Sequence, residues 1–463
     1  MPLSVFLKKY LVLVLLAIAA VTHVVSLNFI AVNDHVLLGL RWAAIAGLMW
    51  YAIQKKSLTT WILVSMVVGA EFGHDFPEIA VKLRVLSQVF LRMIKTIIAP
   101  LLFGTLVVGI AGHSGLKQVG RMGLKSILYF EIVTTIALFI GLAAINISRA
   151  GEGIIPPEGQ HEELPSTTPQ TFNEVILHVF PENIAKSVVE GQVLQIVVFS
   201  IIFGIGLALV NPVRRQPMLN FAESLSETMF KFTNIVMYFA PVGVGAAIAY
   251  TVGHMGIGVL KNLFELLATL YCALIVFVFC VLLPVALIVK VPIKRFIKAM
   301  LEPVSIAFAT TSSEAALPRA MEAMERIGVP RKIVAFVMPT GYSFNLDGTT
   351  LYLSLATIFV AQAAGMDLSW GQQLVIVFTL MLTSKGVAGV PRASLVILLG
   401  TATSFGLPIW PIFLILGIDE LMDMARTSVN MIGNCLATIV IARWEGEFVD
   451  NYSPEAVPEN PVT

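Results

Sequence analysis

Apolar runs of about 20 residues recur along almost the whole chain, and this recurrence limits the possible folds more than any other feature. A helix of about 20 residues rises roughly 30 Å, which matches the hydrocarbon core of a bilayer. The chain is 57% hydrophobic and only 13% charged, which excludes a soluble globular protein. Segments of about 10 residues with alternating polarity, which would indicate a transmembrane barrel, do not stand out. The sequence therefore predicts an all-α polytopic membrane protein.

The first two apolar segments, at about 10–31 and 36–53, have lysines at their outer ends. Because cytoplasmic loops are enriched in Lys and Arg, we expect a hairpin with both ends, including the N-terminus, in the cytoplasm. A cleaved signal peptide is the alternative interpretation of the first segment. The polar insert at about 150–186 is poor in Lys and Arg, which is typical of an external loop. Further spans are predicted at about 58–73, 86–112, 124–148, 190–211, 226–252 and 259–290.

Three polar breaks interrupt the apolar sequence of the last third, at residues 309–318, 341–349 and 384–391. Irregular polar backbone at membrane depth is tolerated only where it is buried in protein or lines a cavity, so such breaks indicate a binding site. The apolar segments beside the first and third breaks are each too short to span a bilayer. We therefore expect two re-entrant hairpins that alternate with two interrupted helices, as in an inverted repeat around a midplane site.

One continuous helix is predicted for residues 410–442, and its polar residues form a single stripe. At 3.6 residues per turn they fall within about 100° of one another. A charged side chain at the middle of a membrane helix costs about 2.5–3.5 kcal/mol on insertion scales, which favours a functional site. The alternative is a structural Asp–Arg pair that holds two helices together. The stripe consists of Asp419, Asp423, Arg426, Thr427, Asn430 and Asn434.

The chemistry of these residues predicts an acidic ligand. Arg426 offers a planar guanidinium for bidentate binding of a carboxylate, and Asp423, one turn earlier, offers a counter-charge for an amine. Ser312 and Ser313 offer hydroxyl and backbone N–H donors near a helix end, where a second carboxylate binds well. A ligand with two carboxylates and one amine satisfies all of these groups.

Cation and proton carriers are also predicted. Asn345 and Asp347, in the second break, offer the hard oxygen ligands that small cations take. Glu131 lies inside the predicted span 124–148 and is a proton-relay candidate, the alternative being a carboxylate near the membrane interface. The cysteines lie in apolar segments, so we expect small buried side chains rather than disulfides.

Several other classes of protein are excluded by what the sequence lacks. A net charge of +1 leaves no basic face for nucleic acid. The chain has no His-Glu-x-x-His, Gly-x-Ser-x-Gly or P-loop pattern, so we expect neither an enzyme nor ATP-driven transport. The polar breaks and the polar stripe together predict a secondary transporter.

Residues 58–447 resemble the dicarboxylate/amino acid:cation symporter family, which includes the glutamate and aspartate transporters. Four motifs in the family's order carry the resemblance: the serine-rich run before Leu317-Pro318, Asn345-Leu346-Asp347-Gly348-Thr349, Ala388-Gly389-Val390-Pro391, and the stripe from Asp423 to Asn430. The resemblance implies the glutamate-transporter-homologue fold, with eight spans and two re-entrant hairpins per chain. It also implies a homotrimer in the cell (inner or plasma) membrane, elevator-type alternating access with the second hairpin as gate, and an anion channel as a secondary activity.

Carried over by position, the resemblance assigns the side-chain carboxylate of the substrate to Arg426, its amine to Asp423, and its main carboxylate to Asn430 and the serine tip. No cofactor is implied other than the transported cation, H⁺ or Na⁺. The implied substrate-binding residues are Ser312, Ser313, Thr349, Val390, Asp423, Arg426, Thr427 and Asn430. The implied cation-binding residues are Gly341, Ser343, Asn345, Asp347, Ser384, Val387, Asn430 and Asn434.

Three departures from the family pattern bear on coupling and topology. Asn434 stands where sodium-coupled archaeal members have a sodium-ligating aspartate. Phe130 and Val133 stand where a second sodium site uses hydroxyl-bearing residues. These two differences favour coupling to protons or to fewer sodium ions. Residues 1–55 have no counterpart in the family pattern and add two spans, which leave the orientation of the rest unchanged.

The predicted organisation has four parts: an N-terminal extension of two spans (1–57), scaffold and first transport-domain helices (58–295), hairpins and binding helices (296–443), and a cytoplasmic tail (444–463). An acidic residue at position 423 with Arg426 one turn on favours aspartate or glutamate as the substrate. Several core segments look closest to the bacterial C4-dicarboxylate branch, so succinate, fumarate or malate is the alternative.

Overall fold

The computed structural model of the protein describes residues 14–22, 25–26, 32–111, 118–154, 180–190, 193–386 and 393–450. Helices account for nearly all of them, and no strand occurs in these ranges, so the prediction of an all-α protein is confirmed. The chain forms two compact units. One comprises Met1–Phe90 and Tyr238–Ile257, and the other comprises Leu91–Met237 and Gly258–Thr463.

The helices are numbered in chain order, after a helical segment at residues 14–22. The first eight are α1 (Asp34–Lys55), α2 (Leu58–Asp75), α3 (Arg84–Ala111), α4 (Gln118–Ser148), α5 (Ile184–Glu190), α6 (Val193–Leu209), α7 (Pro212–Met237) and α8 (Ala240–Met255). The others are α9 (Val259–Phe277), α10 (Leu283–Ile288), α11 (Ile293–Thr310), α12 (Ser313–Arg326), α13 (Arg331–Phe344), α14 (Asp347–Ala363), α15 (Trp370–Thr383), α16 (Ala393–Ser404) and α17 (Trp410–Glu445). A π-helical turn, Val278–Leu282, joins α9 to α10.

Four helical stretches among the described residues are long and apolar enough to cross a membrane: Asp34–Lys55, Pro77–Val108, Arg121–Ser148 and Val259–Ile288. They coincide with four of the spans predicted from the apolar runs. The predicted span over 226–252 is divided in the structure between two helices, because α7 ends at Met237 and α8 begins at Ala240. The pair is apolar enough to cross a membrane as one broken span. Pro241 stands in the first turn of α8, a position that suits proline because the N–H there has no partner within the helix.

The first unit is held together by close helix packing and by one ionic cluster. Gly69 of α2 lies against Gly245 of α8 so closely that an added Cβ would overlap the carbonyl oxygen of Gly245. Arg41 of α1 forms ion pairs with Glu71 (2.5 Å) and Asp75 (2.6 Å) of α2. The indole Nε1 of the neighbouring Trp42 donates to the other carboxylate oxygen of Asp75 at 2.9 Å. Helix α1 is therefore fixed to α2 by charge as well as by apolar packing.

The second unit is organised around two buried helices, α14 and α17. Every residue of α14 except Gln362 is buried, and α14 packs against α4 and α17. The approach of α4 is close because Gly141 faces the backbone of Leu351, and the Ser354 hydroxyl donates to the Leu138 carbonyl at 2.8 Å. A hydroxyl that bonds to a neighbouring helix satisfies a polar group without water, as a buried position requires.

This contact gives a stability prediction. Gly141→Ala is expected to lower stability by about 1–3 kcal/mol, because the new Cβ would overlap the Leu351 carbonyl oxygen and force the helices apart. Gly206→Ala in α6 is the matched control, since no described atom lies within 4 Å of its added Cβ. In the control, the better helix propensity of alanine is expected to leave stability unchanged or raise it by up to about 1 kcal/mol. Thermal unfolding in detergent measures both, and equal melting temperatures for the two variants would contradict the packing argument.

The serine-rich break separates α11 from α12 and is only two residues long. Thr311 ends α11 in the left-handed conformation (φ +51°), and Ser312 caps α12 by accepting a hydrogen bond from the Ala315 N–H at 3.3 Å. The two helices fold back on each other, and Arg319 pairs with Glu302 across them at 3.4 Å. Both helices pack against α17, so this hairpin lies beside the helix that carries the polar stripe.

Candidate functional site

The single helix predicted over 410–442 is observed as α17, and all six side chains of its polar stripe are buried. Their exposed fractions range from 0% for Asp419 to 5% for Asp423 and Thr427. Between Trp410 and Ala442 almost every residue of α17 is buried, because α11, α13 and α14 surround it. Buried polar groups are costly unless they bond to one another or to a ligand, so the partners of this stripe determine its role.

Arg426 is the centre of a buried ionic cluster. Its Nη1 pairs with Oδ1 of Asp419 at 3.0 Å, and its Nε pairs with Oδ1 of Asp423 at 2.9 Å. The guanidinium stacks over the ring of Tyr352 from α14, with its central carbon 4.2 Å from the ring centre. Thr427 donates its hydroxyl hydrogen to Oδ1 of Asp423 at 2.8 Å. The arginine is therefore held in one orientation by three neighbours.

The cluster keeps donor capacity for a further group. Nη2 of Arg426 is buried and has no hydrogen-bond partner among the described residues. A guanidinium N–H that is fixed in direction and unsatisfied by the protein is suited to an added carboxylate oxygen. With two carboxylates and one guanidinium, the cluster also carries a formal charge of about −1 when all three are ionised, which suits a ligand with a cationic group.

The second break places a buried carboxylate beside α17. Asn345 and Asp347 are both 0% exposed; Asn345 directly follows α13, and Asp347 is the first residue of α14. Oδ1 of Asp347 is buried without a hydrogen-bond partner in the described part of the chain, and Oδ2 lies 3.5 Å from the Asn345 amide nitrogen. A buried ionised carboxylate is costly without a counter-charge, and carboxylate and carbonyl oxygens are the usual ligands of small hard cations.

Two glycines allow α17 to pack closely against the second break, residues 341–349. A Cβ added at Gly433 would overlap Oδ2 of Asp347, and one added at Gly341 would lie 2.5 Å from Oδ1 of Asn434. Asn434 is 3% exposed, so its side chain lies inside the contact rather than at its edge. Asp347, Gly341 and Asn434 are thereby brought together by the structure.

Asn430 joins the stripe to the N-terminus of α14. Its Oδ1 accepts hydrogen bonds from the backbone N–H groups of Gly348 (2.8 Å) and Thr349 (3.2 Å). Its Nδ2 donates to the Thr349 hydroxyl at 2.9 Å. The first N–H groups of a helix have no partner within the helix. The side-chain amide of Asn430 accepts hydrogen bonds from two of them and so caps the N-terminus of α14 from a neighbouring helix.

The third break contains a largely buried lysine that contacts α4. Lys385 lies in the turn Ser384–Gly386 and is 13% exposed. Its Nζ donates to the Thr134 hydroxyl at 2.6 Å and pairs with Glu131 at 3.2 Å. Glu131 itself is 42% exposed, so the ion pair has one largely buried and one accessible partner.

Comparison with known families gives a decisive match. The sequence profile of the sodium:dicarboxylate symporter family matches residues 58–444. This chain belongs to the sodium:dicarboxylate symporter family. The protein is accordingly a cation-coupled symporter and a multi-pass membrane transporter, and the prediction that it is not an enzyme is confirmed by its family.

Curated relatives of this symporter align over nearly their full length. A proton/sodium-glutamate symport protein of Bacillus caldotenax is 40% identical over 418 residues, which cover 88% of this chain and 99% of that protein. The proton/glutamate-aspartate symporter of Escherichia coli K12 is 42% identical over 411 residues, or 85% and 94% of the two chains. The C4-dicarboxylate transport protein of Bacillus subtilis 168 is 38% identical over 408 residues, or 87% and 97%. The relatives thus divide between two substrate classes at similar identity.

Most predicted site residues of the symporter are brought together around α17. Asp423 bonds to Arg426 and Thr427, and Asn430 bonds to Thr349. Ser313 at the first hairpin tip is 2% exposed, and Ser384 in the third break is 3% exposed. Val387 and Val390 lie outside the described residues, and so does the side chain of Ser343.

Three residues with a clear place in the site were missed by sequence reasoning: Tyr352, Gly433 and Lys385. Tyr352 and Gly433 carry no signal in a single sequence, since an aromatic or a glycine in an apolar helix is ordinary. Lys385 did carry one, because a lysine within an apolar, broken segment is as costly as the charges of the polar stripe.

Proposed function

We propose that this symporter carries acidic amino acids, aspartate or glutamate, together with protons, sodium ions or both. The observation that carries the proposal is the buried pair of Asp423 and Arg426, whose charged atoms lie 2.9 Å apart. An acidic amino acid presents the complementary pair, an ammonium group and a carboxylate, so both charges of the site gain a partner. The unsatisfied Nη2 of Arg426 supplies the donor for the side-chain carboxylate.

The remaining site residues are assigned within this proposal. Ser312, Ser313 and Asn430 take the main carboxylate, with Thr349, Thr427 and Val390 lining the substrate. Asp347 and Asn345 hold a transported cation, since Oδ1 of Asp347 is a buried oxygen with no partner among the described residues. Carbonyl or side-chain oxygens complete the cation sites, contributed by Gly341, Ser343, Ser384, Val387, Asn430 and Asn434. Glu131 stays the proton-relay candidate, with Lys385 as its ionic partner.

The fold details implied by the family belong to the same proposal. The helix pair α11 and α12 forms the first re-entrant hairpin, and α15 and α16 form the second, which gates the substrate. We propose three copies per assembly in the cell membrane, with both termini cytoplasmic and with the N-terminal extension as two added spans. Transport is of the elevator type, in which the binding helices move against a fixed scaffold.

A C4-dicarboxylate is the second candidate, because relatives named C4-dicarboxylate transport protein match at 38–41% identity. An acidic amino acid has an amine and a C4-dicarboxylate has none. Asp423 is the residue to which the proposal assigns that amine. A dicarboxylate has no ammonium group to place beside the Asp423 carboxylate and would bring two further negative charges to it, so Asp423 works against succinate, fumarate and malate.

Uptake into proteoliposomes tests the proposal. Purified protein is given labelled aspartate and, separately, labelled succinate, under an inward sodium gradient or an inward proton gradient. We expect saturable accumulation of aspartate that collapses when an ionophore dissipates the driving gradient. Accumulation of succinate but not aspartate would replace the proposal by its second candidate, and flux without accumulation would indicate a channel.

A substitution at Asp423 separates the two substrate classes. Asp423→Ser is expected to lower aspartate affinity at least about 30-fold, because losing one partner of a buried charge pair costs roughly 2–5 kcal/mol. Succinate binding is expected to stay the same or improve, since the cluster loses one negative charge. Competition uptake measures both, with Asp367→Ser at an exposed position as the control. Equal losses for both substrates would assign Asp423 a structural role.

A further inference from the structure

The Lys385 ammonium lies in an oxygen-lined position at the third break. Its Nζ is 2.6 Å from the Thr134 hydroxyl, 3.2 Å from the Glu131 carboxylate and 3.5 Å from the Phe344 carbonyl oxygen. A hydroxyl, a carboxylate and a carbonyl are the oxygen types that bind small hard cations. The side chain reaches them while being 13% exposed, so the charge is withdrawn from solvent within the chain.

This position adjoins the proposed cation site. Phe344, whose carbonyl oxygen contacts the ammonium, immediately precedes Asn345 and lies three residues before the buried Asp347. The two α4 residues that hold the ammonium, Glu131 and Thr134, are three positions apart and therefore lie on the same face of that helix. The lysine therefore places a positive charge among a carboxylate, a hydroxyl and a backbone carbonyl, which would otherwise favour a bound cation.

We propose that the Lys385 ammonium is a built-in counter-cation, which occupies a position that a transported cation would otherwise fill. This inference rests on the proposed function, because it concerns how many cations accompany each substrate. With Lys385 in place, the symporter couples to one cation fewer than the same chain with an uncharged residue at this position. Lys385 is thus a specificity-determining residue for the coupling ion.

A tethered ammonium and a transported sodium ion differ in the net charge that they move across the membrane in each transport cycle. A tethered ammonium travels in with the loaded site and back with the empty one, so it adds nothing to the net charge moved per cycle. A sodium ion that takes its place is released inside, and it adds one positive charge to every cycle. The number of charges moved per substrate therefore distinguishes a tethered cation from a transported one.

The experiment compares the wild type with Lys385→Met, which keeps an unbranched side chain one atom shorter and removes the charge, and with Lys385→Arg, which keeps the charge. Reversal potentials in proteoliposomes give the charges moved per labelled aspartate at several sodium concentrations. We expect Lys385→Met to require sodium and to move one more charge per substrate than the wild type. Lys385→Arg is expected to retain the stoichiometry of the wild type.

A binding measurement supports the transport measurement and does not depend on the substrate. In detergent, sodium is expected to raise the melting temperature of Lys385→Met more than that of the wild type, because the vacated oxygens bind the ion. Unchanged stoichiometry together with an unchanged sodium response of the melting temperature would overturn the proposal. If Lys385→Met is not recovered as a monodisperse protein, Lys385→Gln is measured in the same way. Failure of aspartate uptake in the wild type would contradict the proposed function alone, since the melting experiment still tests the counter-cation.

Discussion

Replacing Arg426 by alanine is expected to abolish the uptake of every acidic substrate. The guanidinium is 1% exposed and is the positive partner of Asp419 and Asp423, so its removal leaves two buried carboxylates facing each other. Breaking a buried pair costs about 3–5 kcal/mol, which corresponds to a loss of affinity of at least about 100-fold. Initial rates of labelled aspartate and succinate uptake into proteoliposomes measure the effect.

The control for this variant is Arg326→Ala, since Arg326 is 68% exposed at the end of α12. Its uptake is expected to stay within about twofold of the wild type, because exposed ion pairs contribute little. Arg426→Lys is informative as well, because a lysine keeps the charge and loses the planar fork. If Arg426→Ala transported aspartate at a wild-type rate, Arg426 would have no part in substrate binding.

Replacing Gly433 by alanine is expected to reduce uptake at least tenfold, although the change adds a single methyl group. The new Cβ would overlap Oδ2 of Asp347, so either the carboxylate or α17 must move. Overpacking of this kind costs about 1–3 kcal/mol, and here the group that is displaced is a proposed cation ligand. We therefore expect the response of the melting temperature to sodium or to pH to change along with transport.

The matched control is Gly371→Ala, where the nearest atom to the added Cβ is the Ser369 hydroxyl oxygen at 3.9 Å. Its uptake and its melting temperature are expected to match those of the wild type. Wild-type transport by Gly433→Ala, with an unaltered cation response, would mean that Asp347 tolerates displacement and does not ligate the transported cation.

Much of the fold follows from hydrophobic length and from the position of polar residues. Apolar runs located α1, α4 and the continuous stretch from α9 to α10, because membrane-spanning helices need a minimum apolar length. The break between α7 and α8 was missed, since the apolar run continues unchanged through Pro241. A proline in an apolar run is compatible with a kinked span or with two helices, and the packing of the neighbours decides between them.

The sequence predicted the site residues that lie together on a single helix. It did not predict the contacts between side chains of different helices. The spacing of Asp419, Asp423 and Arg426 is a property of one helix, so periodicity was enough to group them. That Tyr352 lies under the Arg426 guanidinium depends on how α14 packs against α17, and no periodicity within one helix encodes it. The same holds for Lys385, whose oxygen partners come from α4 and α13.

One expectation about Arg426 is changed by the structure. Sequence reasoning assigned Arg426 to a ligand carboxylate and Asp423 to a ligand amine, whereas here the two side chains bind each other. A ligand with complementary charges must insert into or beside this pair, so its binding replaces one ionic contact by two. Part of the binding free energy is therefore spent on rearranging a pair that already satisfies itself.

The ionic cluster of Arg41 crosses the boundary at residue 58 between the N-terminal extension and the family region. The family profile begins at residue 58, which suggests that everything before it is detachable. Yet Glu71 and Asp75, both within the family region, have their counter-charge on α1. A chain shortened to the family boundary would keep two acids inside an apolar helix and lose the arginine that neutralises them. The extension and the family region share one ionic cluster, so trimming this transporter to the family boundary requires altering those acids as well.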